Sequence, residues 1–224
     1  MISTQASHPL GHGRAALGDP GPIAEEEPGS SPSLAGRAAT GPWWVVLVAA
    51  AAGLVFTTIQ IMEKIALLKD PASGLFCDIN ATVSCTNVLN AWQSSVLGPP
   101  NALIGAIMFA LLGSAALGGV LGSRPSRAYL LVLWGLALFF AAFATWFMVQ
   151  TAFVIGSLCL WCTGIVTAVL ASCAALTRLA HRAGAFGGGG FGRAMGTVVR
   201  SGLDLIIVVG WWLAIAAMLV LGLA

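Results

Sequence analysis

"SLCLWCTGIVTAVLASCAAL", residues 157 to 176, sets two cysteines three apart at the head of an apolar run. A Cys-x-x-Cys pair is a redox or metal-binding device. The run beginning at Leu158 is close to the ~20 residues a helix needs to cross ~30 Å of hydrocarbon. One stretch therefore places the chain in a membrane and places sulfur chemistry at the membrane surface.

Four more runs of this kind flank it, at about Trp43–Met62, Asn101–Leu121, Ala128–Val149 and Leu203–Leu221. Composition agrees: only 8% of the 224 residues are charged and 58% are hydrophobic, whereas a soluble domain carries roughly a quarter charged residues. An open sheet would leave backbone groups unpaired in lipid, so the spans are expected to be helices. The expected fold is an all-α membrane protein. A four-helix transmembrane bundle core (41–182) is joined by a fifth transmembrane helix (202–224), with a short amphipathic helix in the outer loop. Residues 1–40, rich in Gly, Pro, Ser and Glu, read as a disordered cytoplasmic tail without a cleavable signal. Residues 183–201 read as a Gly-rich cytoplasmic linker, because "GAFGGGGFG" lacks the Lys-Ser/Thr of a phosphate loop.

Basic residues set the expected orientation. With the N-terminus inside, Arg14, Arg37, Arg124, Arg127, Arg178, Arg182, Arg193 and Arg200 are cytoplasmic, and only Lys64 and Lys69 lie outside. Cytoplasmic excess of Lys and Arg is the usual rule. The C-terminus is then outside, and so is the one long outer loop, about Glu63 to Gly98, with Cys77 and Cys85 in "CDINATVSC". Four of the five cysteines thus share the oxidising side. Cys173 lies ~21 Å further along its helix and reads as a small hydrophobe.

Cys159 and Cys162, at i and i+3, share a helix face, and a helix N-terminus stabilises a thiolate. Ser157 is a candidate N-cap for that helix. Cys77 and Cys85 admit a static staple, a zinc site or a second exchangeable pair. Zinc is disfavoured by the C-x7-C spacing, and two dithiols facing one compartment suggest a relay by thiol–disulfide exchange. Asp78 reads as a turn residue and Asp204 as interfacial. In "SCTNVLNAWQSSVLG", Val88, Leu89 and Trp92 have near-helical spacing and read as an interfacial amphipathic helix. "GPPNALIG" suits a helix start. Asn101 is either a cap there or an amide offered to a carbonyl ligand.

Taken together, "CDI", "SCTNVL", "PPNALIG" and "CLWC", in this order across residues 43–180, resemble the bacterial branch of the vitamin K epoxide reductase family. The resemblance implies a quinone-dependent thiol oxidase that supports disulfide formation outside the cytoplasm, in the bacterial inner membrane. Cys162 would attack the quinone and Cys159 would resolve it. Cys85 would exchange with Cys159, Cys77 with the outside substrate, and Asn101 would hold a quinone carbonyl. The implied acceptor is a menaquinone- or ubiquinone-type molecule, with no metal. Where members carry serines or a threonine after the second loop cysteine, this chain has Asn90 and Ala91; a tyrosine of some members is Val166. Many bacterial members also carry a fused thioredoxin-like domain. This chain reaches only Ala224, so a separate thioredoxin-like (DsbA-like) partner is expected, besides membrane lipid and no nucleic acid. Two alternatives remain: a reductase whose purpose is the reduced quinone, and a non-enzymatic membrane protein with a stapled loop.

Overall fold

The computed structural model describes residues 34–71 and 74–223. Seven α-helices follow in order: α1 Leu34–Lys69, α2 Cys85–Asn90, α3 Asn101–Val120, α4 Arg127–Gln150, α5 Leu160–Arg182, α6 Gly190–Arg200 and α7 Leu203–Leu223. Among the described residues, five helical segments are long and apolar enough to span a membrane: Thr40–Lys69, Asn101–Val120, Arg127–Ile155, Leu160–Arg182 and Leu203–Leu221. The protein is an all-α membrane protein.

Helix α5 is the centre of the bundle, with 61% of an 18-residue apolar stretch buried, against 17% of the corresponding stretch of α7. Tight approach of α1 to its neighbours follows from small residues at the crossings. A side chain at Gly53 would collide with Phe109 of α3, and one at Gly119 with Trp43. Gly164 of α5 plays the same part against Phe56.

Several boundaries differ from expectation. Helix α1 runs past Met62 to Lys69, because its charged residues find partners: the Lys64 ammonium donates to the Leu89 carbonyl at 2.7 Å. The same helix starts at Leu34, inside the segment expected as a disordered tail; residues 1–33 of that tail lie outside the described residues. The expected Gly-rich linker contains α6, which starts at Gly190 and carries the better helix formers that follow. The turn between the third and fourth spans is itself helical. A π-type turn, Thr151–Ile155, continues α4 and stops at Gly156, whose φ of 68° suits a residue without a Cβ. Asp204 is buried and paired with Arg178, which ties α7 to α5, rather than facing the interface.

The loop between α1 and α3, the one expected to face outward, folds over the end of the bundle at which α5 begins. Its expected amphipathic helix is broken: α2 stops at Asn90, Ala91 is extended, and a 3-10 turn covers Trp92–Ser95. Val88 and Leu89 are buried, but Trp92 is exposed, since the break swings it off the buried face.

Candidate active site

The outer loop is held against the start of α5 by backbone pairing. Leu158 N–H donates to the Thr82 carbonyl at 2.7 Å, and Ser84 N–H to the Leu158 carbonyl at 3.1 Å, a single parallel bridge between Val83 and Leu158. Asn80 turns the chain before it, its side-chain oxygen accepting from the Thr82 and Val83 N–H groups at 2.9 and 2.7 Å. Ser157 does not cap α5. Its hydroxyl accepts from the Asn87 amide at 2.9 Å and contacts the Ala81 carbonyl at 3.1 Å, a further tie between loop and helix start. The N-cap position falls to Cys159, whose backbone is extended.

Asp78 is the organiser of the loop. Its carboxylate accepts from Leu75 N–H, from the Ser84 hydroxyl, and from both the N–H and hydroxyl of Thr86. Burial would raise its pKa, but the Thr86, Leu75 and Ser84 bonds outweigh that and hold it down at about 2. Ser84 in turn caps α2, accepting from Asn87 N–H. These contacts present Cys77 and Cys85 at the two ends of one compact turn, where they form a disulfide with Cα atoms 5.7 Å apart.

Cys159, Cys162 and Cys173 are free and buried. The Cys85 and Cys159 sulfurs are 3.3 Å apart, within the ~3–3.5 Å of a near-attack arrangement. The backbone bridge therefore brings the two pairs to exchange distance. Gln60, on α1, joins the pair: its amide nitrogen lies 2.7 Å from Cys162 Sγ and 3.4 Å from Cys159 Sγ. Cys159 is held below the ordinary thiol range, first by the bond from the Cys162 thiol, then by the Cys162 N–H and Gln60; burial and the Glu63 charge oppose this. The inner pair thus holds a negative charge more readily than an isolated buried thiol. Glu63, one turn beyond Gln60, sets both carboxyl oxygens 3.6 Å from Cys77 Sγ and accepts from Trp161 Nε1 at 3.1 Å.

Cys162 also borders an apolar cavity between α1, α3, α4 and α5, whose walls include Gln60, Asn101, Phe147, Met148 and Val166. Asn101 occupies the first residue of α3 without capping it. Its amide nitrogen donates to the Gln93 carbonyl at 2.7 Å, while its Oδ1 is buried without a partner. Val166 presents no hydroxyl to this wall, and Ser94, which also lines it, donates its own to the Leu89 and Ala91 carbonyls. Asn90 is exposed. Cys173 lies deeper on α5, and no hydrogen bond to its sulfur is found among the described residues.

Glu63, Cys77 and Cys85 offer ligand atoms within 4.8 Å of one another. Metal binding needs thiolates, and in this state both sulfurs are spent in the disulfide.

Gln60 and Glu63 were not singled out from the sequence. Their signal was nevertheless there: in "QIMEK" (60–64), Gln60, Glu63 and Lys64 fall at i, i+3 and i+4 on one face of an otherwise apolar span. Polar groups at membrane depth are costly and tend to be functional.

The geometry is that of a membrane oxidoreductase with a redox-active cysteine pair. No curated protein matches the chain at a significant level. The model of the vitamin K epoxide reductase family matches residues 44–177, more than half of the chain and all four of these cysteines. The chain belongs to the vitamin K epoxide reductase family.

Proposed function

We propose that this protein is a thiol oxidase. Electrons pass from a separate thioredoxin-like protein outside the cytoplasm to Cys77–Cys85, then to Cys159–Cys162, then to a membrane quinone. The observation that carries this reading is the 3.3 Å approach of Cys85 to Cys159, with the outer pair oxidised and the inner pair free. That is the state reached after electrons have moved inward. A disulfide that served only to staple the loop would have no reason to abut a reduced Cys-x-x-Cys pair.

The cavity beside Cys162 fits a quinone. Its walls are apolar, as a flat membrane-soluble ring requires, and most polar side chains on them are bonded to backbone. Asn101 Oδ1 is the exception, a buried acceptor that a quinone carbonyl cannot satisfy but the hydroxyl of the quinol can; leaving such an atom unpaired costs ~1–3 kcal/mol. The Asn101 amide nitrogen, with one hydrogen spent on the Gln93 carbonyl, would donate its other to a quinone carbonyl, with Phe147, Met148 and Val166 around the ring. A quinone, when bound, accepts two electrons and two protons. Cys162 is the nucleophile directed at the cavity, Gln60 stabilises its thiolate, and Cys159 resolves by re-forming the Cys159–Cys162 bond. Once the thioredoxin-like donor has reduced Cys77–Cys85 and itself become oxidised, Cys85 attacks Cys159 and Cys77 closes on Cys85, returning the arrangement described above.

The arginine distribution supports a cytoplasmic N-terminus and an outer-facing loop. In intact cells, reduced Cys77 and Cys85 should react with an impermeant thiol reagent added outside; labelling only after lysis would reverse the orientation. The decisive experiment is quinone reduction by the purified full chain supplied with a reduced thioredoxin-like protein. Stoichiometric quinol and oxidised partner are expected. Quinol formed from a small dithiol but never from the protein would favour a reductase whose product is the quinol itself. No quinol with either would reject the quinone reading.

A further inference from the structure

The relay has a proton to move as well as electrons. Cys77 must lose its thiol proton each time the outer pair re-forms, and a thiol is a poor nucleophile until it does. In the outer loop, the group that meets Cys77 Sγ is the Glu63 carboxyl, with Oε1 and Oε2 each at 3.6 Å. With the disulfide closed this is a contact without a hydrogen; once the pair is reduced, the same placement lets the thiol donate to the carboxylate. Trp161, between the two inner cysteines in "CLWC", donates its indole N–H to Oε1 and so fixes the carboxylate relative to the inner pair. The Trp161 ring rests on Phe56, with centroids 6.1 Å apart. Glu63 is half-buried, with its carboxyl against the sulfur. The other ionisable groups around it are Asp78 of the loop, Cys159 and Cys162 of α5, and Lys64 beside it on α1, whose ammonium is turned to the Leu89 carbonyl.

The geometry points to Glu63 as the proton acceptor for Cys77 in the exchange between the two cysteine pairs. The inference rests on the relay proposed above. With the outer pair reduced and the inner pair oxidised, Cys85 thiolate attacks Cys159; the Cys85–Cys159 bond forms and Cys162 leaves as a thiolate. Glu63 then takes the proton from Cys77, and the Cys77 thiolate attacks Cys85. The Cys77–Cys85 bond forms, the Cys85–Cys159 bond breaks, and Cys159 leaves as a thiolate. Two electrons have moved inward, and the proton of Cys77 rests on Glu63, which releases it to the outer water.

The test is a single turnover of the full chain with both pairs reduced, mixed with excess short-chain quinone. Two quinols form per protein: the first from the inner pair as it stands, the second only after the exchange. In Glu63→Gln the amide oxygen still accepts from Trp161, and the charge that opposes the Cys159 thiolate is gone, so the first phase should not be slower than in wild type. The second should slow about 100-fold at neutral pH, the lower range of general-base contributions. The deficit should close as pH rises past ~8.5, where a free thiol ionises unaided; a merely structural role would not give this recovery. A second phase equal to wild type, or a deficit that no pH relieves, overturns the proposal. If Glu63→Gln fails to fold, Glu63→Asp decides: the acid is kept but withdrawn from Cys77, so the second phase alone should slow, and two unchanged phases overturn it. Absence of quinol from the wild type in either phase would instead reject the underlying relay.

Discussion

At the outer end of α5, Cys159 and Cys162 lie against a disulfide, the Gln60 amide and, through Trp161, the Glu63 carboxyl. Further along the same helix, Cys173 is also buried and free, but among the described residues its sulfur makes no hydrogen bond, and its backbone carbonyl accepts from the Thr177 hydroxyl. The helix, the residue type and the burial are shared. What differs is the supply of polar groups and a second sulfur. A buried thiol becomes a reactive one when something nearby stabilises its anion and an acceptor lies in reach; the outer end provides both and the inner end neither.

The sharpest way to break this comparison is to remove the sulfur that borders the cavity. Cys162→Ser should abolish quinone reduction with protein and small-dithiol donors alike, while the Cys77–Cys85 disulfide should still close when an external oxidant is supplied. Residual turnover above background would mean that electrons leave the protein elsewhere.

Gln60→Leu sharpens it next. The substitution keeps the volume and takes away both N–H···S contacts. Hydrogen bonds to charged groups contribute ~1.5–3 kcal/mol, roughly 10- to 150-fold in an equilibrium. Quinone reduction by the pre-reduced protein should fall by about that factor, and the ultraviolet thiolate absorbance of the inner pair should titrate at higher pH. An unshifted titration would leave Gln60 as packing alone.

These two residues also mark what could be read in advance. The spans were legible because hydropathy is a one-dimensional signal, and the meeting of the four cysteines was legible because parity of the spans puts both pairs at the same end of the bundle. Cys-x-x-Cys is local, so its place at a helix start was legible too. Gln60, by contrast, is 102 residues away from the sulfur it meets, and in a hydropathy profile it and Glu63 merely look like the end of a run. Ser157 matched the pattern of a cap, yet the Asn87 amide and the Ala81 carbonyl claimed its hydroxyl. Asn101 was recognisable as costly in an apolar span, but its partner, the Gln93 carbonyl, depends on how the loop folds back. Long-range pairings of this kind are settled by tertiary structure, not by local pattern.

Asp78→Asn probes the scaffold that brings the outer pair to α5. With its pKa held at about 2 by the loop bonds, below the ~3.9 of an unfolded chain, the Asp78 carboxylate stabilises the docked loop fully above about pH 4. That contribution is lost as pH falls through about 2. In wild type, amide exchange across residues 75–86 should therefore rise as pH is lowered over that window, after correction for intrinsic exchange. In the variant it should already be raised at neutral pH, with the pH step gone. Protection unchanged by the substitution would shift the burden of docking to the Val83–Leu158 bridge.

Asn101→Leu removes both the tether to Gln93 and the unpartnered oxygen in the cavity wall. Loss of one buried hydrogen bond to ligand, ~1–3 kcal/mol, should raise the apparent KM for quinone about tenfold. Exchange between the cysteine pairs should remain. An unchanged KM would assign Asn101 to the loop alone.

Cys173→Ser should do least, and for that reason it tests the comparison most directly. Sulfur and oxygen differ little in volume, and the new hydroxyl has a ready partner in the carbonyl four residues back, as Ser172 has in Ala168 at 2.8 Å. Such back-bonding satisfies the group at little cost to the helix. Exchange at the outer end needs sulfurs ~3–3.5 Å apart, a distance Cys173 cannot reach from ~21 Å along the helix. Turnover within about twofold of wild type is therefore expected with both donors, and alkylation of the reduced, denatured protein should count one thiol fewer. A large loss of quinone reduction with the inner pair still titrating normally would show that the deep sulfur takes part in electron transfer, and the distinction between the two ends of α5 would fail.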